Sequence, residues 1–306
     1  MADVTASTAP APTGVARRLG ANVTALFFTA PIILLLIVFF AVPLFDLFGF
    51  SFTAYKAGPR TSDGPMTLVN FTAIFGDPFY LAMIGNSLML GLLTVIATLL
   101  IGYPVAFYLT RASGWERTLI SVACLLPIFV NLIVGILGWY ILLLPFGVFQ
   151  QILSSVGLVD GPLPWLRSFW TLVAVLTYEH LPFAILILAS TIQAVPQDKI
   201  NAARILGAST PRIIWNLMLP LTAPGLVASA ILVFSLSVSS YLIPILISGP
   251  RTQVLPIAIF SYASELMNWP MASALALVLL IVVATMTYAA AAVANRVTRR
   301  GQWEMV

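Results

Sequence analysis

Glu179 and His180 stand side by side inside a long apolar run, where an ionisable pair is too costly to sit in lipid without a partner or a task. A carboxylate at that depth could attract a cationic amine along a translocation path. The plainer alternative is that both groups lie near an interface and are satisfied by water, loop groups or each other. Ser235, Ser237, Ser239, Ser240 and Tyr241 form a second polar cluster, whose hydroxyls can line a water-filled path, bond back to helix carbonyls or reach a neighbouring helix. Asn131 poses the same choice in a third apolar run. The candidate substrate-path residues are therefore Glu179, His180, Asn131, Ser237, Ser240 and Tyr241.

Other chemistries are excluded by missing parts. No glycine-rich stretch ends in Gly-Lys-Ser or Gly-Lys-Thr, so the chain has no phosphate-cradling loop of its own. A single histidine cannot build a His-Glu-x-x-His zinc pair, and there is no Gly-x-Ser-x-Gly elbow. Cys124, the one cysteine, can make neither an intrachain disulfide nor a cysteine-rich metal site and reads as a small buried apolar residue. No catalytic residue, metal ligand or resident cofactor is expected, so the chain is not read as an enzyme.

The elements that must position these groups are membrane helices. Of 306 residues 60% are hydrophobic and 8% charged, against about 25% charged in a soluble domain. The mean hydropathy is +1.04. So few charges cannot coat a soluble core, and lipid is the natural outer solvent. The net charge of +4 comes from residues scattered between apolar runs, which speaks for topology signals and against nucleic acid as a partner. A bilayer asks for about 20 apolar residues per helix, and continuous apolar runs exclude the alternating barrel pattern. The predicted spans are 25–49, 81–110, 118–145, 169–193, 220–247 and 271–294. The run after Arg17 and Arg18 is too long for a signal h-region, so no cleaved signal is expected.

With the N-terminus inside, Arg17, Arg18, Arg111, Arg117, Lys199, Arg204, Arg212, Arg296, Arg299 and Arg300 fall on the cytoplasmic side, and only Lys56, Arg60, Arg167 and Arg251 opposite. This bias places both termini in the cytoplasm of a bacterial-type inner membrane. Trp165, Trp170 and Trp269 lie at the edges of the outer loops, where indole rings suit the headgroup level. The resulting organisation is a disordered tail over 1–20, a transmembrane domain over 21–295 with a cytoplasmic loop at 194–219, and a C-terminal tail over 296–306. Prolines in or near most spans predict kinked and partly broken helices.

The loop between the fourth and fifth spans carries the functional signal. Ala202, Ala203 and Leu206 recur at helical spacing, Gly207 offers a stop, and a second short helix begins near Pro211. Small alanines on an exposed face let another protein approach closely. The pattern resembles the cytoplasmic coupling loop of permease subunits in binding-protein-dependent ABC importers of the type I class. Their signature is Glu-Ala-Ala, three residues, Gly, nine residues, Ile, one residue, Leu-Pro. Here it stands as Asn201, Ala202, Ala203, then Gly207, then Leu217, Leu219 and Pro220, with spacing kept and Asn201 in place of the Glu. Asn201, Ala202, Ala203, Arg204, Gly207, Leu217 and Pro220 are the ATPase-coupling residues that this resemblance implies.

The resemblance extends over about residues 68–295. Asn70, Phe71, Asp77, Pro78, Asn86, Ser87, Leu88, Gly102, Tyr103 and Pro104, with Tyr178, Leu181, Pro182 and Phe183, look like the subgroup serving spermidine and putrescine uptake. It implies an all-α fold of about six transmembrane helices and alternating access. It also implies two cytoplasmic ATPase subunits that hold ATP and Mg, a second homologous permease completing a heterodimer, and an extracytoplasmic solute-binding protein. Two rival readings are an ion-coupled secondary transporter, which would normally show several intramembrane carboxylates, and a non-transporting scaffold subunit.

Overall fold

The computed structural model describes residues 29–56, 65–157, 165–249 and 252–303, with side chains to residue 292. The tail over 1–20, Arg60, Arg251 and the side chains of Arg296, Arg299 and Arg300 lie outside that description. The architecture is all-α. Among the described residues the only β pairing is an isolated bridge between Thr53 and Met66.

Four helices are long and apolar enough to span a bilayer alone: α1 (Thr29–Ser51), α3 (Pro78–Leu109), α7 (Phe169–Gln193) and the Trp269–Ala292 part of α13 (Trp269–Trp303). A short α2 (Val69–Gly76) leads into α3, whose first turn is capped by the Asp77 carboxylate accepting from the Phe79 N–H. Two more spans are bent pairs. α4 (Gly114–Phe129) meets α5 (Leu132–Leu142) at 104°, and α9 (Thr210–Leu221) meets α10 (Ala223–Val238) at 69°. The remaining short helices are α6 (Val148–Ser155), α8 (Gln197–Ile205), α11 (Leu242–Ile247) and α12 (Leu255–Phe260). The backbone of α13 stays helical through Trp303, into residues that the sequence reading sets apart as a tail.

The third predicted span, 118–145, is thus one of the partly broken helices that the prolines predict. Pro127 removes a donor from the last turn of α4, and Val130 is extended at ψ 135. Asn131 then starts a new helix, its Oδ1 accepting from the N–H of Ile133 at 3.0 Å and of Val134 at 3.5 Å. The fifth predicted span, 220–247, ends early as well. α10 stops at Val238, and Ser239 to Tyr241 belong to no helix before α11 begins.

The centre of the bundle is the mutual packing of α3, α7 and α10, with α1 laid against α13. Close approach is bought by small residues: a Cβ at Gly91 would run into Phe234 and Val238, and one at Gly225 into Thr191. Ser87 accepts the Leu255 N–H at 2.8 Å, and Asn86 donates to the Gln253 carbonyl at 3.1 Å, so this polar pair fastens α3 to the start of α12. The outside is apolar instead of charged. Phe39 is 75% and Leu100 74% exposed, as expected where lipid is the solvent.

Candidate functional site

The loop at 194–219 folds as a helix, a turn and a second helix. α8 ends in a paired closure: Gly207 donates to the Arg204 carbonyl at 2.9 Å and Ala208 to the Ala203 carbonyl at 3.0 Å. The closure needs a left-handed residue, and Gly207 supplies it at φ +78. Pro211 sits in the first turn of α9, where its missing N–H costs nothing. Ile200 and Ile213 are buried in the same apolar cluster as Leu188 and Ile192 of α7, so both loop helices are pinned to the bundle.

One expectation about this face needs correction. Ala203 was expected to share an exposed face with Ala202 and Leu206, but it turns inward and packs on that cluster. The outward face instead carries Asn201, Ala202, Ile205 and Leu206, the last two each 86% exposed, with Trp215 nearby in sequence at 68%. Sequence spacing placed both alanines on one helix side, but the inward tilt is set by Ile200. Leu217 is half-buried against the cluster and Pro220 is exposed. Arg111, counted above only for topology, also belongs to this end. Its guanidinium lies 3.8 Å over the Phe107 ring, and burial together with the charge of Arg204 holds its pKa below the usual arginine value.

Four of the six polar candidates, Glu179, His180, Ser240 and Tyr241, line one cavity of about 540 Å³. Glu179, His180 and Phe183 reach it from α7, Leu132 from the start of α5, Leu232 and Leu236 from α10, Ser240 and Tyr241 from the break that follows, and Leu242 from the start of α11. Glu179 lies ten residues into α7, about 15 Å along a helix of about 37 Å, so the cavity is near mid-membrane. Both broken spans open onto it. Non-helical backbone at membrane depth is tolerated where it is buried in protein or lines a cavity, and Ser240 and Tyr241 at the fifth-span break line this one, whereas Val130 and Asn131 at the third-span break are exposed beside it.

Ser237 does not line the cavity. It is fully buried, donates to the Val233 carbonyl at 2.7 Å and lies 3.3 Å from His180 Nδ1, so it meets the imidazole from behind. Asn131 caps α5 and thereby sets the position of Leu132. Tyr241 stacks on Phe260 with ring centroids 4.5 Å apart, which braces the broken segment against the end of α12. Phe183, Leu232 and Leu236 were missed as lining residues because an apolar side chain facing a cavity has the same sequence signature as one facing lipid.

Residues 98–299 match the family described as the inner membrane component of binding-protein-dependent transport systems. The spermidine/putrescine transport system permease protein PotB of Haemophilus influenzae is 30% identical over 253 residues, covering 83% of this chain and 88% of that protein. The inner membrane ABC transporter permease protein YdcU of Escherichia coli is 31% identical over 235 residues, covering 72% and 73%. In solved structures, a bacterial alginate ABC transporter in complex with its alginate-pentasaccharide-bound periplasmic protein contains a chain of the same fold. The TM-score is 0.77 at 18% identity, over 92% of this chain and 97% of that one. With its helices, its broken spans and its helix–turn–helix loop at 194–219 described, the chain belongs to the family of binding-protein-dependent transport system inner membrane components, as an ABC importer permease subunit.

Proposed function

We propose that this chain is one permease half of an ATP-driven, binding-protein-dependent importer of polyamines or related amines, working by alternating access. The observation that carries the reading is the loop after α7, where motif spacing, the Gly207 closure and the exposed Ile205 and Leu206 together make a rigid apolar knob. Two cytoplasmic ATPase subunits, holding ATP and Mg, would take that knob. Closure of the ATPases on nucleotide would push it, and Ile200 and Ile213 would pass the push into the bundle. Beyond Pro220 the 69° bend leads into α10, whose far end carries Leu236 and leads to Ser240 at the cavity. A displacement at the loop is thereby delivered to the path.

A second homologous permease would complete the pathway as a heterodimer, with an extracytoplasmic solute-binding protein docking on the face opposite the loop. The excess of Lys and Arg on the loop side supports an inner-membrane topology with both termini cytoplasmic. The polyamine assignment rests on the named relatives and on Glu179, whose carboxylate is, among the described residues, the only acidic group lining the mid-membrane cavity. Selection by the binding protein would leave the permease with modest affinity of its own.

Gentle purification of the tagged chain from native membranes, with mass spectrometry of what co-purifies, tests the assembly. Recovery of an ATPase, a second permease and a binding protein is expected, and recovery of the chain alone in several mild detergents would refute it. Uptake of labelled putrescine and spermidine by cells carrying Glu179→Gln tests the path. A several-fold loss is expected, and unchanged uptake across pH would remove Glu179 from it.

A further inference from the structure

A second cavity, about 380 Å³, opens at the end of α7 opposite the coupling loop, where α3, the turn before α7 and the α11–α12 connection meet. Asn86, Arg167, Phe169, Ser248, Thr252 and Gln253 line it, and among the described residues no acidic side chain does. The hydroxyl of Ser248 is the most telling group. This residue is 3% exposed, and its Oγ has no hydrogen-bond partner, a state that costs stability unless something enters to meet it. Arg167 is held in the left-handed region at φ +73, uncommon for a residue with a Cβ, and its N–H is tied to the Ile247 carbonyl at 3.3 Å. Asn86 fixes the third wall through its bond to the Gln253 carbonyl.

A guanidinium, two hydroxyls and amide groups around a space without acids suit an oxyanion with several acceptor oxygens. The surroundings favour one source. Trp170, one residue beyond Phe169, is 65% exposed, and Met89, one turn from Asn86 on α3, is 50% exposed, so apolar outer surface begins at the rim of the polar cavity. A polar pocket that passes at once into apolar surface beside an indole is the profile of a headgroup region with acyl chains below it. We propose that this cavity seats the phosphodiester of a phospholipid in the leaflet opposite the coupling loop, with Arg167 as its charge partner and Ser248 donating to a phosphate oxygen. The site is separate from the mid-membrane cavity, and its occupancy does not depend on which solute is carried.

The full-length chain in mild detergent would be titrated with three probes: phosphatidylglycerol, a galactolipid with the same acyl chains but no phosphate, and inorganic phosphate. Native mass spectrometry reads retention, and thermal unfolding reads protection. Phosphatidylglycerol is expected to be retained and protective, with affinity about tenfold or more weaker in Arg167→Gln and clearly weaker in Ser248→Ala. Arg167→Lys should recover part of the loss and guards against misfolding as its cause. Without the lipid, Ser248→Ala should be as stable as the parent or more so, because the lone hydroxyl is then a burden. Equal retention of phosphatidylglycerol in parent and Arg167→Gln, or of galactolipid and phosphatidylglycerol in the parent, overturns the proposal. Arg167-dependent binding of inorganic phosphate without lipid retention overturns the lipid assignment. So does intact lipid retention in Arg167→Gln combined with lost stimulation by a solute-binding protein, which would mark a protein carboxylate as the occupant.

Discussion

Replacing Gly207 isolates one backbone torsion at the coupling loop. A Cβ built there meets nothing within 4 Å, so Gly207→Ala adds no collision, and its whole cost is that of holding an L-residue at φ +78. That cost is about 1–2 kcal/mol, which multiplies the open fraction of the turn by about 5–30. The two bonds that close the turn, Gly207 to Arg204 and Ala208 to Ala203, report the opening directly. Hydrogen exchange of those amides should therefore speed up about 5–30-fold in Gly207→Ala, and distinctly less in Gly207→Asn, because asparagine tolerates this region better. Thermal stability of the bundle should hardly change, since Gly207 is exposed and buries nothing. Uptake by the assembled importer should fall in the same order, alanine below asparagine below glycine. The reasoning is refuted if alanine and glycine exchange alike, or if asparagine is as damaging as alanine.

Further consequences can be checked independently. Ile205→Ser with Leu206→Ser should abolish recovery of the ATPase in pull-downs while shifting Tm little, because both side chains are 86% exposed and support no core. Ser87→Ala should cost about 1–3 kcal/mol and lower the Tm of the solubilised chain by several degrees, since the buried Leu255 N–H loses its acceptor. Gly225→Leu should cost about 1–3 kcal/mol or more, seen as poor membrane yield and early unfolding, because the new side chain lands on Thr191 where α10 packs on the adjoining span.

The legible and illegible parts of this protein divide along a physical line. Helical class and the approximate spans followed from hydropathy, because lipid admits only segments that satisfy their own backbone bonds, and that requirement is local. The coupling loop was legible for a related reason. Gly207 must be glycine-like for a left-handed closure and Pro211 belongs in a first turn, so residue type alone marked both helix boundaries. Which side of α8 faces out was not legible. Ala202 and Ala203 are identical in type, and only the anchoring of Ile200 beneath them turns one outward and the other in.

That some spans would be broken was legible in their prolines, but where the third and fifth would turn was not, because an apolar run reads the same on either side of a turn. Pro127 and Asn131 hinted at the first break, yet the 104° bend depends on what the freed backbone groups meet. Nothing in the sequence brings Ser237 to His180, 57 positions apart, or sets Ser248 and Arg167 around one space. Local chemistry thus determined the helices, their ends and the helix–turn–helix of the loop at 194–219. Tertiary packing alone decided which polar groups face a cavity, because a hydroxyl or carboxylate in a membrane helix is defined by the partner that another helix brings to it.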